Sequence, residues 1–331
     1  MVAAAIAAPA RHRWIISRRV DLALVSGSSL AGFAYILLYM VCHVPISYLW
    51  WFWSVGFDGT HIFATAIRTY FDPTARRRHG ALLYGSLAVF FALGPALILL
   101  GAKYLLAMIV AVWAYYHVVR QHYGFMVLYK VKNRDLAKWD NALDRVFLGV
   151  MLLAPAFLRF FVRHPEELGL PFRLGWAEPV VWVVAGAAGF AWLVRQFRHP
   201  VHNVPKYLLF AGIVPLHWLT FALMSWQAAV PTVTIVHNLQ YHALIWFHNR
   251  NRYSDETAPA IPRAVTRSLL TYAAAALVFS AAYRIPGFQL GKVSDLAFGF
   301  FCGFGLTHYY LDSRIWRVRH DPELKHALQL A

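Results

Sequence analysis

Four short stretches of this chain combine side chains that bind metal ions: Asp58-Gly-Thr-His61, His117-Val-Val-Arg-Gln-His122, His237-Asn-Leu-Gln-Tyr-His242 and His308-Tyr-Tyr-Leu-Asp312. Imidazole with one or two carboxylates suits iron, zinc or copper, and the absence of nearby Cys and Met argues against Cu(I). Spacing adds geometry. His308 and Asp312 are four apart and Asp58 and His61 three apart, so each pair shares one face of a helix. His117/His122 and His237/His242 are five apart, about 140° around an ideal helix. Such a pair does not chelate one ion without a π-bulge or local unwinding, so the spacing predicts two neighbouring ions, one per layer. Gln121, Gln240, Asn238 and Tyr123 are the expected partners for ring N–H groups. Arg120, lying between two of the histidines, is expected to pair with Asp58 or Asp312, because a bare guanidinium inside such a helix is costly.

The other histidines are discounted by their surroundings. His12, His79, His164, His199, His202, His320 and His326 sit in loops or beside arginines, and His43 lies at the end of an apolar run. His217 is alone in its run and reads as a structural histidine; whether His217 or His248 joins the cluster stays open.

The elements that must position these groups follow from composition. Of 331 residues, 60% are hydrophobic and 14% charged, with a mean hydropathy of +0.49. An ordinary soluble domain carries about 25% charged residues, so the chain reads as an integral membrane protein. Its fold class is all-α, a polytopic transmembrane helix bundle. About ten apolar runs are long enough to span, over 21–42, 48–67, 81–101, 104–128, 143–162, 177–194, 207–226, 231–248, 268–283 and 293–312. Basic gaps alternate with gaps poor in cations: Arg11, Arg13, Arg18 and Arg19 come first, and Arg314, Arg317, Arg319 and Lys325 last. Positive-inside alternation then predicts an even number of spans with both termini cytoplasmic, in a bacterial inner membrane. Segments 1–20 and 313–331 are the cytoplasmic ends, and 21–312 the bundle.

The net charge of +16 (31 Lys and Arg against 15 Asp and Glu) is thereby explained by topology. No loop is long enough for a nucleic-acid-binding domain, so no nucleic-acid partner is expected. Cys42 and Cys302 both lie in apolar runs and form neither a disulfide framework nor a Cys-based zinc site. Ser17-Arg18-Arg19 reads as the cationic flank of an uncleaved first helix rather than a twin-arginine signal. Trp50, Trp51 and Trp53 are expected to form an interfacial belt.

The four histidine stretches fall on alternate helices, each toward its C-terminal end. Counting back from the basic flank places His61 7 residues before Arg68, His122 8 before Lys130, His242 8 before Arg250 and His308 6 before Arg314. At 1.5 Å per residue these four lie within about 3 Å of one depth, near the cytoplasmic face. Asp58, His117 and His237 form a second layer about 5–8 Å deeper. The predicted ligands are therefore His61, His117, His122, His237, His242, His308 and Asp312, with Asp58 a further ligand or orienting group.

All five glutamates lie in loops or at helix ends, which excludes a ferritin-type, Glu-based di-iron bundle. Histidine clusters at the cytoplasmic ends of membrane helices resemble the integral-membrane non-haem di-iron oxygenases of the fatty-acid desaturase and hydroxylase type. His117-x4-His122 and His237-x4-His242 are similar to that family's first histidine box; an H-x-x-H-H box does not occur. The resemblance implies two irons, dioxygen, an external electron donor and a hydrophobic, lipid or isoprenoid-like substrate. Two alternatives stay open: a bis-His haem electron-transfer or quinol protein, and a transporter using the His/Asp cluster as an ion or proton path. Zinc is a further alternative metal.

Overall fold

In an apolar medium a chain satisfies its backbone amides within each segment or not at all, which selects helices. In the structure, a computed structural model describing residues 13–199, 202–318 and 321–330, every regular element is helical among the described residues. Arg11, His12, Arg319 and His320 lie outside the described residues.

Helix α1 (Arg18–Val20) runs through a wide π-type turn, Asp21–Val25, toward α2 (Ser29–Met40). A second such turn, Ser54–Asp58, joins α3 (Ile46–Trp53) to α4 (Gly59–Arg68). Then come α5 (Pro73–Leu99), α6 (Lys103–Lys132) and α7 (Lys138–Phe157), the last prolonged by a π-type stretch, Leu158–Arg163. The series ends with α8 (Ala177–Phe197), α9 (Val204–Leu223), α10 (Trp226–Arg252), α11 (Ala260–Thr266), α12 (Leu269–Val293), α13 (Asp295–Ile315) and α14 (Pro322–Ala327).

Local chemistry sets the boundaries. Asp72 caps α5 by accepting from the Thr74 amide at 2.8 Å, with Pro73 in the first turn where its missing N–H costs nothing. Asn203 caps α9 in the same way, and Ser268 with Thr271 forms a capping box at α12.

Six helices are long and apolar enough to cross a membrane: Arg18–Met40, Pro73–Leu99, Lys138–Arg163, Ala177–Phe197, Val204–Leu223 and Leu269–Val293. The chain is thus compatible with an integral membrane protein. The helices not in this set include α4, α6, α10 and α13, which carry the histidine stretches. Each lies in a helical segment that follows an apolar one across a short link, at 41–45, 100–102, 224–225 and 294. Polarity is turned inward. Helix α10 buries His237, Asn238, Gln240 and Asn249, while Val183 and Phe190 on α8 and Leu270 and Val293 on α12 are exposed.

Successive long helices run between two ends of the bundle. At the basic end the Asn133 side chain bonds the Arg13 backbone, Lys206 meets Asp135 at 3.0 Å and Arg252 meets Glu323 at 2.7 Å. At the other end Lys103 pairs with Asp295 at 2.6 Å, and the Trp226 amide donates to Glu167 at 2.9 Å. Helices α5 and α13 touch backbone to backbone: a Cβ added at Gly94 would lie 1.9 Å from the Gly299 carbonyl oxygen. Trp53 departs from the expected interfacial belt. It is buried and donates to Thr234 at 2.8 Å, its polar handle satisfied inside the bundle.

Candidate metal centre

Helices α4, α6, α10 and α13 each send one imidazole to a common point. His61, His117, His237 and His308 are all buried, and each offers a nitrogen within 4.8 Å of the others. His237 Nε2 is 3.0 Å from His61 Nε2, and His308 Nε2 is 3.2 Å from His117 Nε2. Around one ion with metal–nitrogen bonds of about 2.1 Å, neighbouring ligand nitrogens lie about 3.0 Å apart at right angles and about 3.4 Å apart in a tetrahedron. These two close pairs fall in that interval, and all four nitrogens lie within 4.8 Å of one another. Without a cation each close pair needs one ring to present N–H to the other. With one, all four present lone pairs.

The surroundings select those lone pairs. Thr65 donates to Asp312 Oδ1 at 2.8 Å, and Tyr241 donates to the same oxygen at 2.8 Å. The Thr65 hydroxyl proton being spent, its oxygen accepts from His308 Nδ1 at 2.7 Å. That assigns the hydrogen of His308 to Nδ1 and leaves Nε2 bare toward the cluster. Asp312 Oδ2 faces His117 Nε2 at 3.9 Å, placing one negative charge beside the point where a cation would sit. The Trp316 indole N–H reaches the Tyr241 hydroxyl at 3.4 Å. Gln121 donates to the His237 carbonyl at 2.7 Å, bracing α10 against α6.

The residues expected from sequence divide. The fold gathers His61, His117, His237, His308 and Asp312. His122 stands with His217, ring centroids 5.7 Å apart, and neither of its nitrogens has a partner among the described residues. His242 lies between the Thr60 hydroxyl at 3.0 Å and the Tyr272 hydroxyl at 2.9 Å. Asp58 forms an ion pair with Arg284 on α12. Arg120 is exposed and stacks on Tyr123 rather than pairing with Asp58 or Asp312. Gln240 donates to the Val25 carbonyl at 2.8 Å, and both polar atoms of Asn238 are buried without a hydrogen-bond partner among the described residues. His248 bonds Asn249 at 2.9 Å beside Trp316, away from the four-imidazole point.

Two physical reasons explain the division. Histidines five apart diverge by about 140°, so when His117 and His237 face inward, His122 and His242 face elsewhere. The wide turn at Ser54–Asp58 changes the rotation per residue just before α4, so Asp58 does not share the direction of His61. Sequence reasoning missed Thr65 and Tyr241. Each lies four residues after a gathered histidine, His61 and His237, and so on the same helix face.

A second buried polar group lies at the basic end, where Asp135, Asp140 and His199 approach one another. Lys206 contacts Asp135 and Asp144 at 3.0 Å each, Lys130 pairs with both acids, and Arg195 pairs with Asp140. Three carboxylates meet three cations here, with His199 3.0 Å from Asp140, in a network joining α6, α7, α8 and α9.

Comparison with protein families, with curated proteins and with solved structures finds no match to this chain.

Proposed function

We propose that this chain is a membrane-embedded, metal-dependent oxidoreductase whose ion is held by His61, His117, His237 and His308. The observation that carries this reading is the convergence of four buried imidazole nitrogens from four helices, with one tautomer fixed by Thr65 and Asp312. In this reading all ten long helical segments cross the membrane, and the site lies toward the cytoplasmic face. An all-imidazole set suits iron, and on iron that prefers six ligands it leaves two positions open. The bound metal would supply the activation of dioxygen. The protein's own contribution is to fix ligand directions, exclude water and place Asp312 as the compensating charge.

The substrate class follows from the setting: a hydrophobic, lipid or isoprenoid-like molecule reaching the site from the bilayer. In a hydroxylation, one oxygen atom enters a C–H bond and the other leaves as water, with two electrons and two protons from an external donor. The reading keeps the oxidase chemistry of the desaturase-type resemblance but assigns one ion, because five of the eight residues expected from spacing come together. Haem fits the packing poorly. Five of the six ring pairs pack at centroid distances from 4.1 to 6.0 Å, too close to seat a macrocycle between them.

Elemental analysis and visible spectroscopy of detergent-purified protein provide the test. The expected result is stoichiometric iron without a Soret band. A haem spectrum, zinc in place of iron, or freshly purified protein free of metal would overturn the reading.

A further inference from the structure

A cavity of about 240 Å³ opens at the basic end, between the start of α5 and the end of α13. Arg68, Arg78, Arg252, Arg314 and Arg317 line it. The acids that also line it are largely committed. Asp72 caps α5, accepts from the Tyr253 hydroxyl at 2.9 Å and faces Arg252 at 3.5 Å. Glu323 accepts from Arg252 at 2.7 Å. Asp321 caps α14, its Oδ1 accepting from the Leu324 amide at 3.0 Å. Five arginines stand against three acids, a formal balance of +2 at the wall, and two of those acids are already engaged by Arg252.

Arg68 is the second, independent observation. It is 9% exposed; its Nη2 donates to the Ile315 carbonyl at 2.9 Å, and its guanidinium lies 4.0 Å from the Trp316 ring centroid. Its Nη1 is buried with no hydrogen-bond partner among the described residues. A guanidinium held rigid on an aromatic face with donors unspent is an anion receptor lacking its anion, because burying such a charge unpaired is costly. The neighbouring Arg78, Arg314 and Arg317 are exposed, with their charged heads on the solvent side of the cavity.

We infer that this cavity binds a phosphoryl group. Arginine forks match phosphate oxygens bidentately, and an excess of two positive charges suits a doubly charged phosphate better than a single carboxylate. The phosphoryl group comes either from a small soluble phosphate compound or from a phospholipid headgroup at the membrane face. The inference does not depend on the metal reading.

The test uses the full chain in neutral detergent. Inorganic phosphate is titrated at constant ionic strength against chloride, and thermal unfolding is followed. In parallel, phosphatidic acid and phosphatidylcholine are compared for retention by native mass spectrometry. Stabilisation by phosphate, on the order of 3 °C at tenfold excess over Kd, identifies a soluble ligand. Retention of phosphatidic acid without a phosphate effect identifies the headgroup. In Arg78→Ala/Arg314→Ala, either response is expected to weaken at least tenfold. Arg263→Ala/Arg267→Ala removes the same charge from exposed positions of the same region and is expected to leave it unchanged. No response to either ligand, or equal loss in both double variants, would overturn the site.

Discussion

Thr65 spends its one proton on Asp312 and so accepts the proton of His308, and this relay leaves His308 Nε2 free. Removing the relay should therefore be felt at the metal rather than in the fold. Asp312→Asn and Thr65→Val are each expected to weaken metal binding by about 10–100-fold, measured by competition with a chromophoric chelator. His237→Ala removes an inward imidazole and is expected to abolish stoichiometric metal. His122→Ala is expected to leave metal content at the wild-type level, since His122 faces His217. Loss of metal in His122→Ala would restore the two-layer arrangement that spacing alone suggests. Sequence made the divergence within each histidine pair legible, as a 140° angle, but gave no sign of which member turns inward. That choice belongs to helix rotation, which neighbouring helices set. Asp312 was legible because its spacing from His308 leaves it no other face.

At the scale of elements, hydropathy identifies helices, and it also marks the site by default. The four segments that carry the gathered histidines are those whose polarity keeps them out of the apolar set, and α10 buries polar groups along most of its length. The π-type turn before α4, which packs against α10 and α12, was not legible. Packing between α5 and α13 depends on the absence of side chains at Gly94 and Gly299. Gly299→Val is expected to cost about 1–3 kcal/mol of stability, read as a lower thermal midpoint. Because α13 carries His308, the same variant is expected to lose metal at a lower temperature than the wild type unfolds.

For the molecule as a whole, counting residues back from each basic flank assumed parallel helices hung from one plane. Real helices cross at angles, so depths counted along separate axes do not share an origin. His61 and His308 therefore meet His117 and His237 although counting placed them in different layers. Arg252–Glu323 joins two of the basic segments, and Lys103–Asp295 joins two of the helix ends away from them. Single cysteines at Ser254 and Ala102, in a chain with Cys42 and Cys302 replaced, are expected to label from opposite membrane faces, Ser254 from the cytoplasm. At the basic end, Lys206→Met would leave Asp135 and Asp144 a cation short. A loss of about 3–5 kcal/mol is expected in reversible denaturation. The pairing of Lys130 and Lys206 with those acids was hidden in the sequence, where Lys130, Asp135 and Lys206 fall in gaps between apolar runs and Asp144 at the start of one.

The order of apolar and polar helices bears on how the chain enters a bilayer in the first place. A helix as polar as α10 partitions poorly on its own, since each charged or strongly polar residue near its centre opposes insertion. Yet α2, α5, α9 and α12 each precede a histidine-bearing segment across a short link. Every ligand helix can thus be carried in as the second arm of a hairpin, its polar face sheltered by the first. On the proposed reading, insertion and metal binding share one design constraint: the imidazoles would enter lipid beside their upstream neighbours and be fully accommodated only when all four hairpins have closed around them.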